Sequence, residues 1–289
     1  MTQMLEIWAR AKINLTLEVL SKRRDGFHEI RSVTQAISLS DYIRFQVSDA
    51  TRFSASSPGW VAERSLVSRA VGLIREVTGC DRGVAIEVNK RIPLSSGLGG
   101  DSSDAAATLR GLNQLWSLGL SDEALHGLAA QLGSDVPFFL YGGTALLKGR
   151  GDLVTPLPSP SRQWVVIVVP DVPRSQNKTG ELYQSLTASQ YTSGEITKQM
   201  ITVLKDSGEL DIELLGNIFE KVAFARFAGL DRYQSQMRKV GAGSVHLAGS
   251  GPALFTVVKE WPRARDLCLS LIGQGITCYL SHTLSVVEK

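Results

Sequence analysis

A run of small residues, Leu94-Ser95-Ser96-Gly97-Leu98-Gly99-Gly100-Asp101-Ser102-Ser103-Asp104, follows a strand-like stretch and leads directly into a helical one. Where bulky side chains are missing, backbone N–H groups can approach a polyphosphate closely, and a helix N-terminus adds a favourable dipole. The same glycines also serve plain tight turns, so the run by itself leaves both readings open. It is not a Walker A loop, because no Gly-Lys-Ser/Thr follows, and its glycine spacing is not that of the dinucleotide fingerprint GxGxxG. Elsewhere, Lys12 and Asn14 stand two residues apart, Asp135 follows Gly133-Ser134, and His28 follows Gly26-Phe27. A carboxylate to take a proton, a cation to offset developing charge and a cradle for phosphate are what transfer of a phosphoryl group to a hydroxyl requires.

The elements that must position these groups can be read from periodicity. From Ile7 to Val19 the odd positions are apolar and the even ones carry Arg10, Lys12, Asn14, Thr16 and Glu18, which predicts a half-buried strand. Lys12 and Asn14 then project from one face, either as part of a solvated exterior or as two polar groups presented side by side. Val84, Ile86 and Val88 predict another strand running into Arg91-Ile92-Pro93 and the glycine run. Ser102 or Ser103 is the expected N-cap of the next helix, whose inward face is Ala105, Ala106, Leu109, Leu112 and Leu115 or Trp116. A second helix reads from Ser121 as N-cap to Gly133 as stop. A short strand is expected around Ala145 to Leu147, and three prolines between Thr155 and Ser161 suggest a lobe boundary. Beyond it, a strand is expected at Trp164 to Val169, helical patterns between Thr179 and Lys239, and strands near Val245, Leu254 to Val258 and Cys278 to Val286. The mixture is α+β in both halves.

Composition narrows the classes. At 289 residues and 43% hydrophobic content, the chain can bury a sizeable core. Lysine and arginine number 31 against 28 acidic residues, with no long basic block, so nucleic acid is not an expected partner. Cys80, Cys268 and Cys278 are odd in number and widely spaced without a CxxC pair, which suggests neither a disulfide framework nor a zinc site and fits a cytoplasmic setting. Glu6 and Arg10 lie within the first strand pattern, so no secretory leader is expected. The longest apolar run, Trp164 to Val169, is far short of the roughly 20 residues of a membrane helix, so no membrane partner is expected either.

Pro93 followed by Gly97-Leu98-Gly99-Gly100-Asp101-Ser102-Ser103-Asp104-Ala105-Ala106 resembles the ATP loop of the GHMP kinases. Ala11-Lys12-Ile13-Asn14-Leu15 resembles that superfamily's first motif, and Gly249-Ser250-Gly251-Pro252-Ala253-Leu254-Phe255 its third, in the expected order. The loop is two residues longer than the common Gly-Leu-Gly-Ser-Ser-Ala-Ala, and this form resembles the branch that phosphorylates a cytidine-diphosphate-linked methylerythritol. Asp25-Gly26-Phe27-His28 and Gly133-Ser134-Asp135-Val136-Pro137-Phe138-Phe139 also resemble that branch's signatures; the likeness spans nearly the whole chain and is weakest between about Gln190 and Gly241.

This resemblance implies a two-lobed fold, with an N-terminal ATP-binding lobe over residues 1–157 and a smaller C-terminal α/β sandwich lobe over 158–289. It implies ATP and Mg²⁺ as cofactors, and transfer of the γ-phosphoryl group to the substrate's 2-hydroxyl in the methylerythritol phosphate route to isoprenoid precursors, by a monomer or homodimer. Carried over by residue, Asp135 is the catalytic aspartate and Lys12 its partner; Pro93, Ser95, Ser96, Gly97, Leu98, Gly99, Gly100, Ser102 and Ser103 hold ATP, with Ser103 a possible metal ligand. Asn14, Phe27, His28 and Asp135 contact the substrate, Phe27 stacking on the cytosine and His28 bonding its edge. Gly249-Ser250-Gly251, otherwise a simple strand turn, closes the cleft. The chain departs from the family pattern at Phe27, where tyrosine is usual, at Ser95, Ser96 and Asp101, where small residues or glycine are usual, and at Ser65-Leu66, where an asparagine precedes the next helix. Alternative readings are a GHMP kinase for mevalonate, phosphomevalonate or homoserine, or a ligand-binding relative without catalysis.

Overall fold

The computed structural model describes residues 4–173, 175 and 177–285. From the N-terminus come β1 (Met4–Asn14), β2 (Thr16–Lys22), β3 (His28–Val47) and β4 (Arg52–Ala55), then α1 (Leu66–Thr78) and β5 (Val84–Asn89). Three helices follow, α2 (Gly100–Leu115), α3 (Asp122–Leu132) and α4 (Val136–Tyr141), before β6 (Thr144–Gly149), β7 (Leu153–Leu157) and β8 (Trp164–Val168). The remainder holds α5 (Lys178–Ser185), α6 (Glu195–Ser207), β9 (Gly216–Asn217), α7 (Glu220–Arg226) and α8 (Leu230–Lys239). It ends with β10 (His246–Leu247), β11 (Leu254–Val258), α9 (Trp261–Gly273) and β12 (Cys278–His282). The α+β class is as expected, and the segment from Thr179 to Lys239 is mostly helical, as its pattern suggested, with the short strand β9 within it. The last strand ends at His282, and Val286, the end expected for it, lies outside the described residues.

By compactness the chain divides into two interleaved units. The first comprises the residues up to Ala11, Ser40–Leu94 and Gly99–Tyr141; the second comprises Lys12–Leu39, Ser95–Leu98 and the residues from Gly142 on.

In the first unit, β5 runs antiparallel to the Tyr42–Val47 end of β3, aligning Ile43 with Val88 and Phe45 with Ile86, while β4 lies parallel to β5. Helix α2 packs against α1, α3 and α4. Helix α1 starts where the Ser65 hydroxyl accepts the N–H of Ser68 at 3.2 Å, and it ends at Gly79, which adopts the left-handed φ of 67° that favours glycine. Its buried residues Val67, Ala70, Val71 and Ile74 follow the i, i+3, i+4, i+7 stripe, each of the larger ones contributing roughly 1.5–3 kcal/mol. Gly111 lets α2 come close to the sheet, since a Cβ there would lie 2.7 Å from the Phe45 ring.

In the second unit, the His28–Gln35 end of β3 pairs antiparallel with β6 and with β2, and β2 pairs parallel with β9. Among the described residues strand β7 pairs only with β6, so Pro156 sits on an edge where its missing N–H is tolerated; the proline-rich tract is therefore partly strand. A second sheet, ordered β10-β11-β8-β12, is antiparallel throughout. Leu17, Val19, Val166, Val168, Leu254 and Leu271 belong to its core.

The single strand expected over Ile7 to Val19 is two, broken at Leu15; it is half-buried only at its start, where Trp8 is exposed, and from Ala11 to Val19 both faces are buried. Beside the apolar row, Lys12, Asn14, Thr16 and Glu18 are buried as well. Helix α6 covers that face of β2: Glu18 accepts the N–H of Thr197 at 2.8 Å and the hydroxyls of Thr16 and Thr197 lie 2.9 Å apart. Among the described residues, no helix is long and apolar enough to cross a membrane.

Candidate functional site

Three distant segments meet inside the second unit. The N–H of Lys12 donates to the carbonyl of Leu98 at 2.9 Å, and the N–H of Ala253 donates to the carbonyl of Ser96 at 3.0 Å. The end of β1 and the turn before β11 thus flank the glycine loop. Gly97 has φ 92°, and a Cβ on it would stand 2.0 Å from the Ala248 carbonyl oxygen, so glycine is required for conformation and for space. Gly249, at φ 53°, is constrained too, though less tightly: its Cβ would fall 2.8 Å from the Gly97 carbonyl and 3.1 Å from the Lys12 ammonium.

Lys12 is only 5% exposed and Asn14 4%, which removes the solvated-exterior reading. The Lys12 ammonium donates to Asn14 Oδ1 at 2.8 Å, and Asn14 Nδ2 donates to the hydroxyls of Ser32 and Thr34 at 2.8 and 3.1 Å. The Ser32 hydroxyl in turn donates to the Thr16 carbonyl at 2.6 Å. This chain fixes the amide of Asn14 so that its oxygen faces the lysine. Asn217 steadies the third motif by donating to the carbonyls of Leu247 and Gly249 at 2.9 and 2.7 Å. Ser250 lies within 2.7 Å of the largely buried Lys178 ammonium and 2.8 Å of the Thr179 hydroxyl.

Phe27 and His28 also belong to this unit. The turn from β2 to β3 is held by Asp25, which accepts the N–H of Phe27 at 3.1 Å and pairs with Arg23, while Gly26 supplies a φ of 87°. Phe27 stays 49% exposed, with the Arg150 guanidinium 5.3 Å from its ring centre. His28 stacks on Tyr183 at 4.8 Å and meets Tyr191 edge-on at 5.9 Å. Burial holds the His28 imidazole below its usual pKa, with the nearby Lys22 charge acting in the same direction.

Pro93, Gly99, Gly100, Ser102, Ser103 and Asp135 lie in the first unit. The expected cap is corrected here: α2 begins at Gly100 with Gly99, at φ 77°, in the N-cap position, and the N–H of Ser103 already donates to the Gly99 carbonyl at 2.9 Å. The serines therefore form the first turn rather than the cap, because two consecutive glycines let the helix start earlier. Ser103 is buried. Asp101 is not in the left-handed region; it occupies the first helical turn, where the dipole favours a carboxylate, with its side chain 57% exposed. Ser95 does take a left-handed φ of 52°, and it carries the strain that a glycine would avoid. Asp135 sits half-buried between α3, whose cap Ser121 accepts the Ala124 N–H at 3.2 Å as expected, and α4.

Among the described residues no group of three or more His, Cys, Asp or Glu is arranged to hold a metal. Tyr183, Tyr191, Lys178 and Asn217 were not marked by any local spacing; tertiary neighbours alone bring them to the motifs.

The family described as GHMP kinases N terminal domain matches residues 65–143. A 4-diphosphocytidyl-2-C-methyl-D-erythritol kinase of Dehalococcoides mccartyi is 46% identical over 99% of this chain and all of its own length, and one of Geobacillus kaustophilus is 39% identical over 93% of each. A crystal structure of 4-(cytidine 5'-diphospho)-2C-methyl-D-erythritol kinase superposes with a TM-score of 0.80 at 29% identity, covering 96% of this chain and 99% of the other. A homoserine kinase from Cytophaga hutchinsonii, at 20% identity and a TM-score of 0.72 over 98% of this chain and 95% of its own, shares the fold.

Proposed function

Because the chain belongs to the 4-diphosphocytidyl-2-C-methyl-D-erythritol kinases, within the GHMP kinases, we infer that it transfers the γ-phosphoryl group of ATP to the 2-hydroxyl of 4-diphosphocytidyl-2-C-methyl-D-erythritol. The observation that carries the geometry is the meeting of Lys12, Asn14, the Gly97 loop and the Gly249 turn in one unit. A buried ammonium beside two tight glycine turns suits a site where negative charge gathers.

In this reading, the backbone from Ser95 to Gly100 and the first turn of α2, with Ser102 and Ser103, receive the triphosphate, with Pro93 leading into the loop. Lys12 supplies positive charge to the transferring group, and Asn14 orients both Lys12 and the attacking hydroxyl. Asp135 accepts the hydroxyl proton as the oxygen attacks in line with the departing ADP. Ser103, buried in the first turn of α2, would help to hold Mg²⁺, which when bound would supply positive charge to offset that of the phosphates. Phe27 stacks on the cytosine and His28 binds its edge, with Tyr183 and Tyr191 fixing the imidazole plane; this aromatic group supports the cytidine substrate over homoserine or mevalonate. The test is ADP release from ATP and Mg²⁺ with the cytidine substrate, homoserine, mevalonate and phosphomevalonate offered separately. Turnover confined to the first is expected; turnover only with another would overturn the substrate assignment.

A further inference from the structure

The glycine run is bounded by a buried charge cluster that the reaction itself does not use. Lys90, at the end of β5, is 3% exposed in its side chain, and Asp41 of β3 and Asp104 of α2 are fully buried. The Lys90 ammonium lies 2.6 Å from Asp41 Oδ2 and 2.7 Å from Asp104 Oδ2. Asp41 Oδ1 accepts the N–H groups of Arg91 and Ile92 at 2.5 and 2.8 Å, so the chain entering the run is held by side chain and backbone together. Asp104 ends the run, within α2, and Gly100 at the helix start is packed so closely that a Cβ would come 3.3 Å from the same ammonium.

Resting on the kinase reading, we propose that Lys90, Asp41 and Asp104 are positioning residues that clamp both ends of the phosphate loop, tying the strand before it to the helix after it. The connection between residues 90 and 104 contains a left-handed serine and two left-handed glycines, Ser95, Gly97 and Gly99, and such a segment has many competing conformations when unrestrained. A single ammonium shared by carboxylates from either side selects one of them before the nucleotide arrives. The arrangement is costly for a merely structural purpose, since buried ions are weak sources of stability. Burial raises the Asp104 carboxyl well above the usual carboxylate range despite Lys90, and its Oδ1 has no hydrogen-bond partner among the described residues. A protonated Asp104 leaves the ammonium with Asp41 as its buried carboxylate and the more exposed Asp101 at 3.9 Å.

Asp104→Ala cuts the close tie to α2 and leaves Lys90 with Asp41 and, at 3.9 Å, the largely exposed Asp101; Asp104→Asn keeps a neutral acceptor of the same shape. ATP binding by calorimetry with Mg²⁺, and steady-state kinetics, should show Asp104→Ala weakened about tenfold or more for ATP, as when one molecule in ten has a competent loop. Its KM for the cytidine substrate and its kcat at saturating ATP should stay within about threefold, and Asp104→Asn should restore ATP affinity to within about threefold of wild type. Lys90→Arg, too large for the space between two carboxylates, should weaken ATP in the same way and serves if Asp104→Ala does not fold. Wild-type ATP affinity in a folded Asp104→Ala or Lys90→Arg protein would overturn the clamp, as would equal changes in the kinetic constants for both substrates. A wild type that binds no ATP would instead overturn the kinase reading, and the clamp with it.

Discussion

Replacing Gly97 by alanine adds one methyl group at the narrowest point of the loop. It would stand 2.0 Å from the Ala248 carbonyl oxygen and 2.8 Å from the Gly251 nitrogen, where real contacts essentially never fall below 3.0 Å. Loop and turn must then part by about 1 Å, and a misplacement of that size costs about a hundredfold in rate. This corresponds to about 2.7 kcal/mol of barrier. The left-handed φ of 92° adds about 1–2 kcal/mol against the folded state. Gly127→Ala is the matched control: it lies within α3 with nothing within 4 Å of its Cβ, and alanine there should stabilise by about 0.5–1 kcal/mol. The same chemical change thus carries opposite signs at two positions. Denaturant unfolding and steady-state kinetics on both variants decide the matter. A Gly97→Ala enzyme with stability and kcat/KM indistinguishable from wild type would refute the reasoning.

Phe27→Ala should raise KM for the cytidine substrate by about 1–3 kcal/mol equivalent, the worth of one base stack, with KM for ATP unchanged, whereas Phe27→Tyr should change neither; initial-rate kinetics check both. His28 is held below its ordinary pKa by burial and by Lys22, so protonation is disfavoured in the folded state. Its contribution to stability is therefore present above the unfolded value of 6.5 and is lost as pH falls through the folded one. An NMR titration should find the imidazole pKa below 6.5, and Lys22→Met should raise it by removing the repulsion. Gly111→Ala should cost about 1–3 kcal/mol in denaturant unfolding, since its Cβ would overlap the fully buried Phe45 ring at 2.7 Å.

Much of this molecule could be read from the chain because its signals are local. Ser121 and Gly133 delimit α3 through capping chemistry contained in a dozen residues, and Leu254–Val258 is a short β-branched and aromatic run of the kind that forms a buried strand. The three motifs were legible through their resemblance to those of the GHMP kinases, and the structure brings Lys12, Asn14, the Gly97 loop and Gly249 together. Harder to read were features set by partners distant in sequence. Lys12 and Asn14 look like a polar strand face until the Gly249 turn and the Ser32 and Thr34 hydroxyls are in place. The length of β3 is hidden because its two ends, His28–Gln35 and Tyr42–Val47, pair with different strands in different units. Helix α9 carries Pro262 in its first turn, where the missing N–H costs nothing, yet its exposed Trp261, Leu269 and Ile272 blur the inward stripe. The position of Asp101 could not be settled from composition either, since only the early start of α2 turns it into a helical, outward-facing residue.

The central claim is transfer of one phosphoryl group to one hydroxyl, and following the phosphorus tests it most directly. ³¹P NMR of a reaction containing ATP, Mg²⁺ and 4-diphosphocytidyl-2-C-methyl-D-erythritol should show a new phosphomonoester on the 2-hydroxyl appearing in step with ADP, with the cytidine diphosphate linkage intact. Asp135→Asn should slow this by about a hundredfold to ten-thousandfold, the usual contribution of a proton acceptor. Inorganic phosphate in place of the phosphomonoester, or undiminished transfer by Asp135→Asn, would contradict the account.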